Sequence, residues 1–132
     1  MDITMYTAKH EVIKQELKAI ENLVCTSVED NAMEIATAVV RLGSVVKMHL
    51  SSEDKFFYPE LLKKDDQTKT IACFYMKEMD DLYGAFTDFS ERWNTPSKVK
   101  ENINCFEKDF KAIGSALIKR MEREEAELYP LA

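Results

Sequence analysis

The chain has two histidines, His10 and His49, and both fall where a helix of a folded protein would bury an apolar side chain. His10 belongs to the series Tyr6, His10, Ile13, Leu17, Ile20, Val24, whose alternating steps of four and three trace one face of a helix. His49 and Glu53 extend a second stripe, Ile35, Val39, Leu42, Val46, and their spacing of four stacks them one turn apart. Two imidazoles and a carboxylate form a donor set suited to iron, manganese or zinc. A carboxylate buried without compensation is costly enough to change its protonation or its surroundings, and a divalent cation is one form of compensation. If the first two helices run antiparallel, His10, early in one, meets His49 and Glu53, late in the other.

The second half of the sequence repeats the first with different polar residues. Gly43-Ser44 through Tyr58-Pro59 returns as Gly114-Ser115 through Tyr129-Pro130, which puts Glu124 in the place of Glu53 and Arg120 in the place of His49. Ahead of that, Tyr75, Met79, Leu82, Phe86, Phe89 and Trp93 parallel the first stripe, with Met79 in the place of His10. Methionine is a soft ligand that fits a hard iron site poorly, and it commonly fills core gaps. Arginine has no lone pair to offer a metal. Its guanidinium can instead sit between Glu124 and Glu53 and supply positive charge, or form a buried ion pair with Glu124 that fixes core register. Two glutamates, Arg120 and one protonated histidine sum to zero without a metal, whereas two divalent ions beside Arg120 would leave a large positive excess. Tyr6 and Tyr75 lie one turn from this polar layer, where either hydroxyl could donate to a carboxylate.

The elements that must position these groups are four helical stretches. The first ends at Cys25-Thr26-Ser27; the second runs from about Glu29 past Glu53 to Tyr58-Pro59. The third begins near Gln67 and breaks at Asn94-Thr95-Pro96, and the fourth, capped by Thr95 or Ser97, stops at Pro130. Short connections between long helices predict an all-α, up-down-up-down antiparallel four-helix bundle made of two repeated hairpins. Gly43 and Gly114, beside the core stripe, suggest close approach of a neighbouring helix. The aromatic residues, Phe56 among them, read as core, and so do Cys73 and Cys105. With 132 residues, 45% hydrophobic content and few Gly or Pro, residues 1–132 read as a single domain.

H-x-x-x-E-D-x-x-F-Y-P, from His49 to Pro59, preceded by a lone His10, resembles the hemerythrin-like, or HHE cation-binding, family. The resemblance covers nearly the whole chain. In that family each half carries H…H-x-x-x-E and the two halves hold a non-haem di-iron site. It implies that His10, His49, Glu53 and Glu124 stand at metal-ligand positions, while Met79 and Arg120 replace two histidines. The implied site is degenerate: one non-haem iron or other divalent metal at most, or none where Arg120 substitutes for it.

Two function classes follow. The first is a non-enzymatic cation-binding protein whose metal senses or buffers a small gas such as oxygen or nitric oxide. The second is a metal-free regulatory or interaction bundle acting through a protein partner. A net charge of −6 without a basic stripe argues against nucleic acid. No E-x-x-H, G-x-S-x-G or H-E-x-x-H occurs to support a ferritin-like oxidoreductase or a hydrolase. An odd number of cysteines without C-x-x-C, no apolar leader after Met1 and no long apolar run predict a cytoplasmic protein that does not enter membranes.

Overall fold

The computed structural model describes residues 2–132, and no strand occurs among them. Helices α1 (Thr4–Thr26) and α2 (Ala32–Ser52) pack along each other. Short α3 (Tyr58–Leu61) leads into α4 (Asp66–Trp93), which packs on α2 and on α6. Segments α5 (Pro96–Glu101) and α6 (Ile103–Arg123) follow, and α6 also meets α1. The chain is thus an all-helical bundle. No helix among the described residues is long and apolar enough to cross a membrane.

Polar side chains set the helix boundaries. Asp65 accepts from the Thr68 amide at 2.8 Å and starts α4, and Thr95 caps α5 ahead of Pro96. A cap of this kind is worth about 1 kcal/mol. The fourth helix is not continuous from Thr95. At Asn102 the backbone leaves the helical region (φ −149°, ψ 74°), and the Asn102 side chain accepts from the Cys105 amide to begin α6 afresh. The residue has both the type and the spacing of an N-cap, and that local signal overrides the helical pattern on either side.

At the end of α2 and again at the end of α6 the helix widens into one π turn, Glu53–Phe57 and Glu124–Leu128. The amides of Tyr58 and Tyr129 reach back five residues, to the carbonyls of Glu53 and Glu124. Pro59 and Pro130 account for the position. A proline ring collides with the carbonyl four residues earlier and has no N–H to offer it, so the turn before it opens.

Two apolar clusters flank the polar layer. On one side lie Ile13, Leu17, Val46, Phe86, Phe106 and Leu117 with their neighbours; on the other lie Tyr6, Phe57, Tyr58, Leu61, Tyr75, Leu128 and Tyr129. Each large apolar side chain buried in them contributes about 1.5–3 kcal/mol. Phe56, by contrast, is 62% exposed on the outside of its π turn, and Cys73 is also exposed, so neither belongs to the core as the sequence suggested.

The glycines are not sites of enforced close approach either. A methyl group on Gly43 would lie 3.7 Å from Ser90 Oγ and 3.8 Å from Phe86, and one on Gly114 would lie 3.8 Å from Leu17, all ordinary contacts. At Gly84, inside α4, nothing stands within 4 Å. Gly84→Ala is therefore expected to stabilise the fold by about 0.5–1 kcal/mol, read as a higher urea midpoint with an unchanged slope.

Candidate metal centre

His10 is on α1, His49 on α2, and Glu53 and Glu124 open the two π turns; His10 and Glu53 are 0% exposed, Glu124 2% and His49 3%. Their donor atoms converge. His10 Nε2 lies 2.8 Å from Glu124 Oε1 and 3.2 Å from His49 Nε2. His49 Nε2 lies 3.8 Å from Glu124 Oε1 and 3.2 Å from Glu53 Oε1. His10, His49 and Glu124 each offer one atom to a group whose members all fall within 4.8 Å of one another. Glu53 stands just outside that group, against His49.

Glu125 and Tyr129 join the layer without having been legible in the stripe pattern. His10 Nδ1 donates to Glu125 Oε2 at 2.9 Å, which fixes a proton on Nδ1 and turns Nε2 toward Glu124 and His49. The Tyr129 hydroxyl donates to Glu53 Oε2 at 2.8 Å, and its oxygen lies 3.0 Å from His10 Nε2. Because the π turn bonds each residue to one five further on, Glu124 and Tyr129 share a face that an α-helix would separate. Glu125, next to Glu124 and one turn beyond buried Met121, reaches His10 from the edge of this face. His10 Nε2 and the Glu124 carboxylate at 2.8 Å are both acceptors unless a proton or a cation lies between them.

Of the two arrangements open to Arg120, the structure shows the buried ion pair with Glu124 and not the bridge between the two glutamates. Its Nε donates to Glu124 Oε2 at 2.9 Å, but the rest of the guanidinium turns away from Glu53. Nη2 donates to the Tyr75 carbonyl at 2.8 Å and the Tyr58 hydroxyl at 3.2 Å, and Nη1 lies 3.5 Å from Glu78. The Tyr75 ring holds it there, 4.6 Å from the guanidinium carbon. Arg120 thus takes the outer oxygen of Glu124 and leaves the inner one facing the histidines. Tyr6 packs edge-on against His49, and the Tyr75 hydroxyl donates to Glu127 at 2.5 Å, outside the layer. Met79 is buried beside His49, Arg120 and Glu124.

A family model described as Hemerythrin HHE cation binding domain matches residues 1–132. The chain belongs to the hemerythrin HHE cation-binding family. No curated protein and no solved structure matches it. The HHE positions in this member are the ones that converge, and they suit a divalent ion on two grounds. Metal–ligand bonds of about 2.0–2.2 Å place neighbouring donors roughly 3–3.5 Å apart, and these contacts, at 2.8–3.8 Å, bracket that separation. In addition, Glu53 Oε1 is buried with no hydrogen-bond donor, since His49 Nε2, 3.2 Å away, is not aligned as one. Such an oxygen is expensive unless a cation faces it.

Charge within the HHE layer is distributed unequally. Burial would raise the Glu124 pKa, but the facing histidines and Arg120 outweigh it and hold the carboxyl well below its usual range. Burial likewise disfavours a charged His49, yet the carboxylates of Glu124 and Glu53 raise its pKa to about 9. That raised pKa stabilises the metal-free fold fully below the ordinary histidine value of 6.5, and the stabilisation disappears as pH rises through about 9. A metal must displace the His49 proton. Its apparent affinity is therefore expected to rise about tenfold per pH unit between pH 7 and 8, checked by titration at constant ionic strength. Glu125→Gln, which weakens the hold on His10 Nδ1, is expected to lower metal affinity about 10–100-fold without changing the fold, read by competition with a chromophoric chelator.

Proposed function

We propose that this protein is a non-enzymatic cation carrier with half of a di-iron site, binding one metal through His10, His49 and Glu124, with Glu53 as a further carboxylate. The observation that carries the reading is the convergence of His10 Nε2, His49 Nε2 and Glu124 Oε1, with His10 steered from behind by Glu125. Imidazole and carboxylate donors suit non-haem iron first, with manganese or zinc as other occupants. Iron held there would supply a position for a small gas such as oxygen or nitric oxide, which the protein senses or buffers. The chain's own contribution is to hold and orient. Arg120 fixes Glu124, Glu125 fixes His10, Tyr129 ties Glu53 to the layer, and the two apolar clusters keep water away.

The arrangement proposed is one domain, a four-helix up-down-up-down bundle of two repeated hairpins, acting in the cytoplasm without nucleic acid or membrane. Anaerobic calorimetric titration of the metal-free protein with ferrous ion tests the metal reading. One equivalent should bind to the wild type and none to His10→Ala; equal heats from the two proteins would refute the assigned site.

A second reading is favoured by the buried Arg120–Glu124 pair. With His49 protonated, the charges of Glu53, Glu124 and Arg120 are balanced without metal, and the bundle would then act through a protein partner. In that case chelators leave the melting temperature unchanged.

A further inference from the structure

Two cavities meet at Met79. The outer is a cleft of about 420 Å3 between α2 and α4, with Lys47, Tyr58 and Asp80 among its walls. The inner, of about 10 Å3, lies against His49, Arg120 and Glu124 and is otherwise bounded by hydrocarbon from Ile13, Val46 and Leu117. Leu50 and Met79 line both. They are therefore the partition between a solvent-filled cleft and the polar layer. The opposite side of the layer is closed by rings, with Tyr6, Phe57 and Tyr129 packed at centroid distances of 5.3–5.9 Å. An unbranched thioether with three rotatable bonds swings aside more readily than a packed ring.

We propose that Met79 and Leu50 form the gate through which a small uncharged molecule passes from the α2/α4 cleft to the inner cavity beside His49 and Glu124. The inner volume is about that of one water, and its mainly apolar walls favour a diatomic of the oxygen and nitric oxide class. The purpose of the route rests on the metal reading above, but its existence does not. Met79, which replaces a histidine of the repeat, is on this view the door of the site and not one of its ligands.

The route is tested first on metal-free protein with labelled methyl groups, using dissolved oxygen under pressure as a paramagnetic probe. Relaxation at the Val46 and Leu117 methyls should exceed that at Val39 and Leu42, which are equally buried in the apolar core. Met79→Phe should suppress the excess at Val46 and Leu117 and spare Leu50, and Met79→Ala should increase it. No excess, or an excess indifferent to both variants, overturns the route. A second experiment follows nitric oxide on ferrous-loaded protein by stopped flow. Met79→Phe should slow association and dissociation together by about tenfold and leave Kd within about twofold, which is the signature of a gate. A change in Kd at constant association rate overturns it. If ferrous ion fails to load, the metal reading fails on its own, and the oxygen experiment still decides the route. If the Phe variant does not fold, the Ala variant decides with the opposite sign.

Discussion

His49→Ala should abolish metal binding, lowering affinity by more than about a hundredfold, while the helical circular dichroism stays close to that of the wild type. His49 Nε2 is the atom that faces His10, Glu53 and Glu124 at once, so removing it takes one of the three converging donors and exposes the carboxylates to each other. The helices themselves do not depend on it. Val46 and Phe57, on either side, are buried in separate apolar clusters, and no other side chain hydrogen-bonds to the His49 Nδ1 atom. The variant should also lose the pH dependence of the metal-free melting temperature between 6.5 and about 9, because that window belongs to this imidazole. Metal retained at full stoichiometry in the variant would place the ion elsewhere.

Arg120→Ala should be the most damaging single change to the metal-free fold, at about 3–5 kcal/mol in urea unfolding. The guanidinium is 4% exposed and makes a charge-assisted bond to Glu124 together with bonds to the Tyr75 carbonyl and the Tyr58 hydroxyl. Alanine leaves the outer oxygen of Glu124 buried and unpaired. Lysine should rescue only in part, since one ammonium cannot reproduce bonds pointing in three directions. The loss should shrink when a divalent ion is present, because a cation at the inner oxygen also compensates Glu124. A loss unaffected by metal would favour the metal-free reading, and a loss below about 1 kcal/mol would remove Arg120 from the account.

Much of this layer could be read from the chain because helical periodicity is a strong signal. His10, His49, Glu53 and Glu124 occupy stripe positions, and the internal repeat ties the last of them to the third. What periodicity could not supply is anything that depends on a change of period. Tyr129 reaches Glu53 and His10 across the turn that widens to a five-residue repeat before Pro130, whereas Glu125 follows buried Met121 by one turn and reaches His10 from the edge of the stripe. The Tyr-Pro pairs were the available clue, since each marks a turn that cannot close normally. Arg120 falls in the layer and pairs with Glu124, one of the two arrangements its position allows, but its remaining partners are not legible, because a long side chain is steered by the groups it can reach. Here those are a tyrosine ring and carbonyl on α4.

The tyrosines also show how the two halves are joined. Tyr129, from the second half, bonds Glu53 in the first, and Tyr58, from the first half, accepts from Arg120 in the second. Equivalent residues of the repeat thus cross over to serve opposite halves, one at the histidine side and one at the arginine side. Sequence duplication alone predicts that each hairpin satisfies its own polar groups, so the crossing emerges only from the packed structure.

The most direct test of the central claim is the metal content of wild-type protein produced with iron, manganese and zinc all available, measured by elemental analysis. The account predicts about one ion per chain, as expected for a single half-site. A folded protein that carries no metal under those conditions would contradict it.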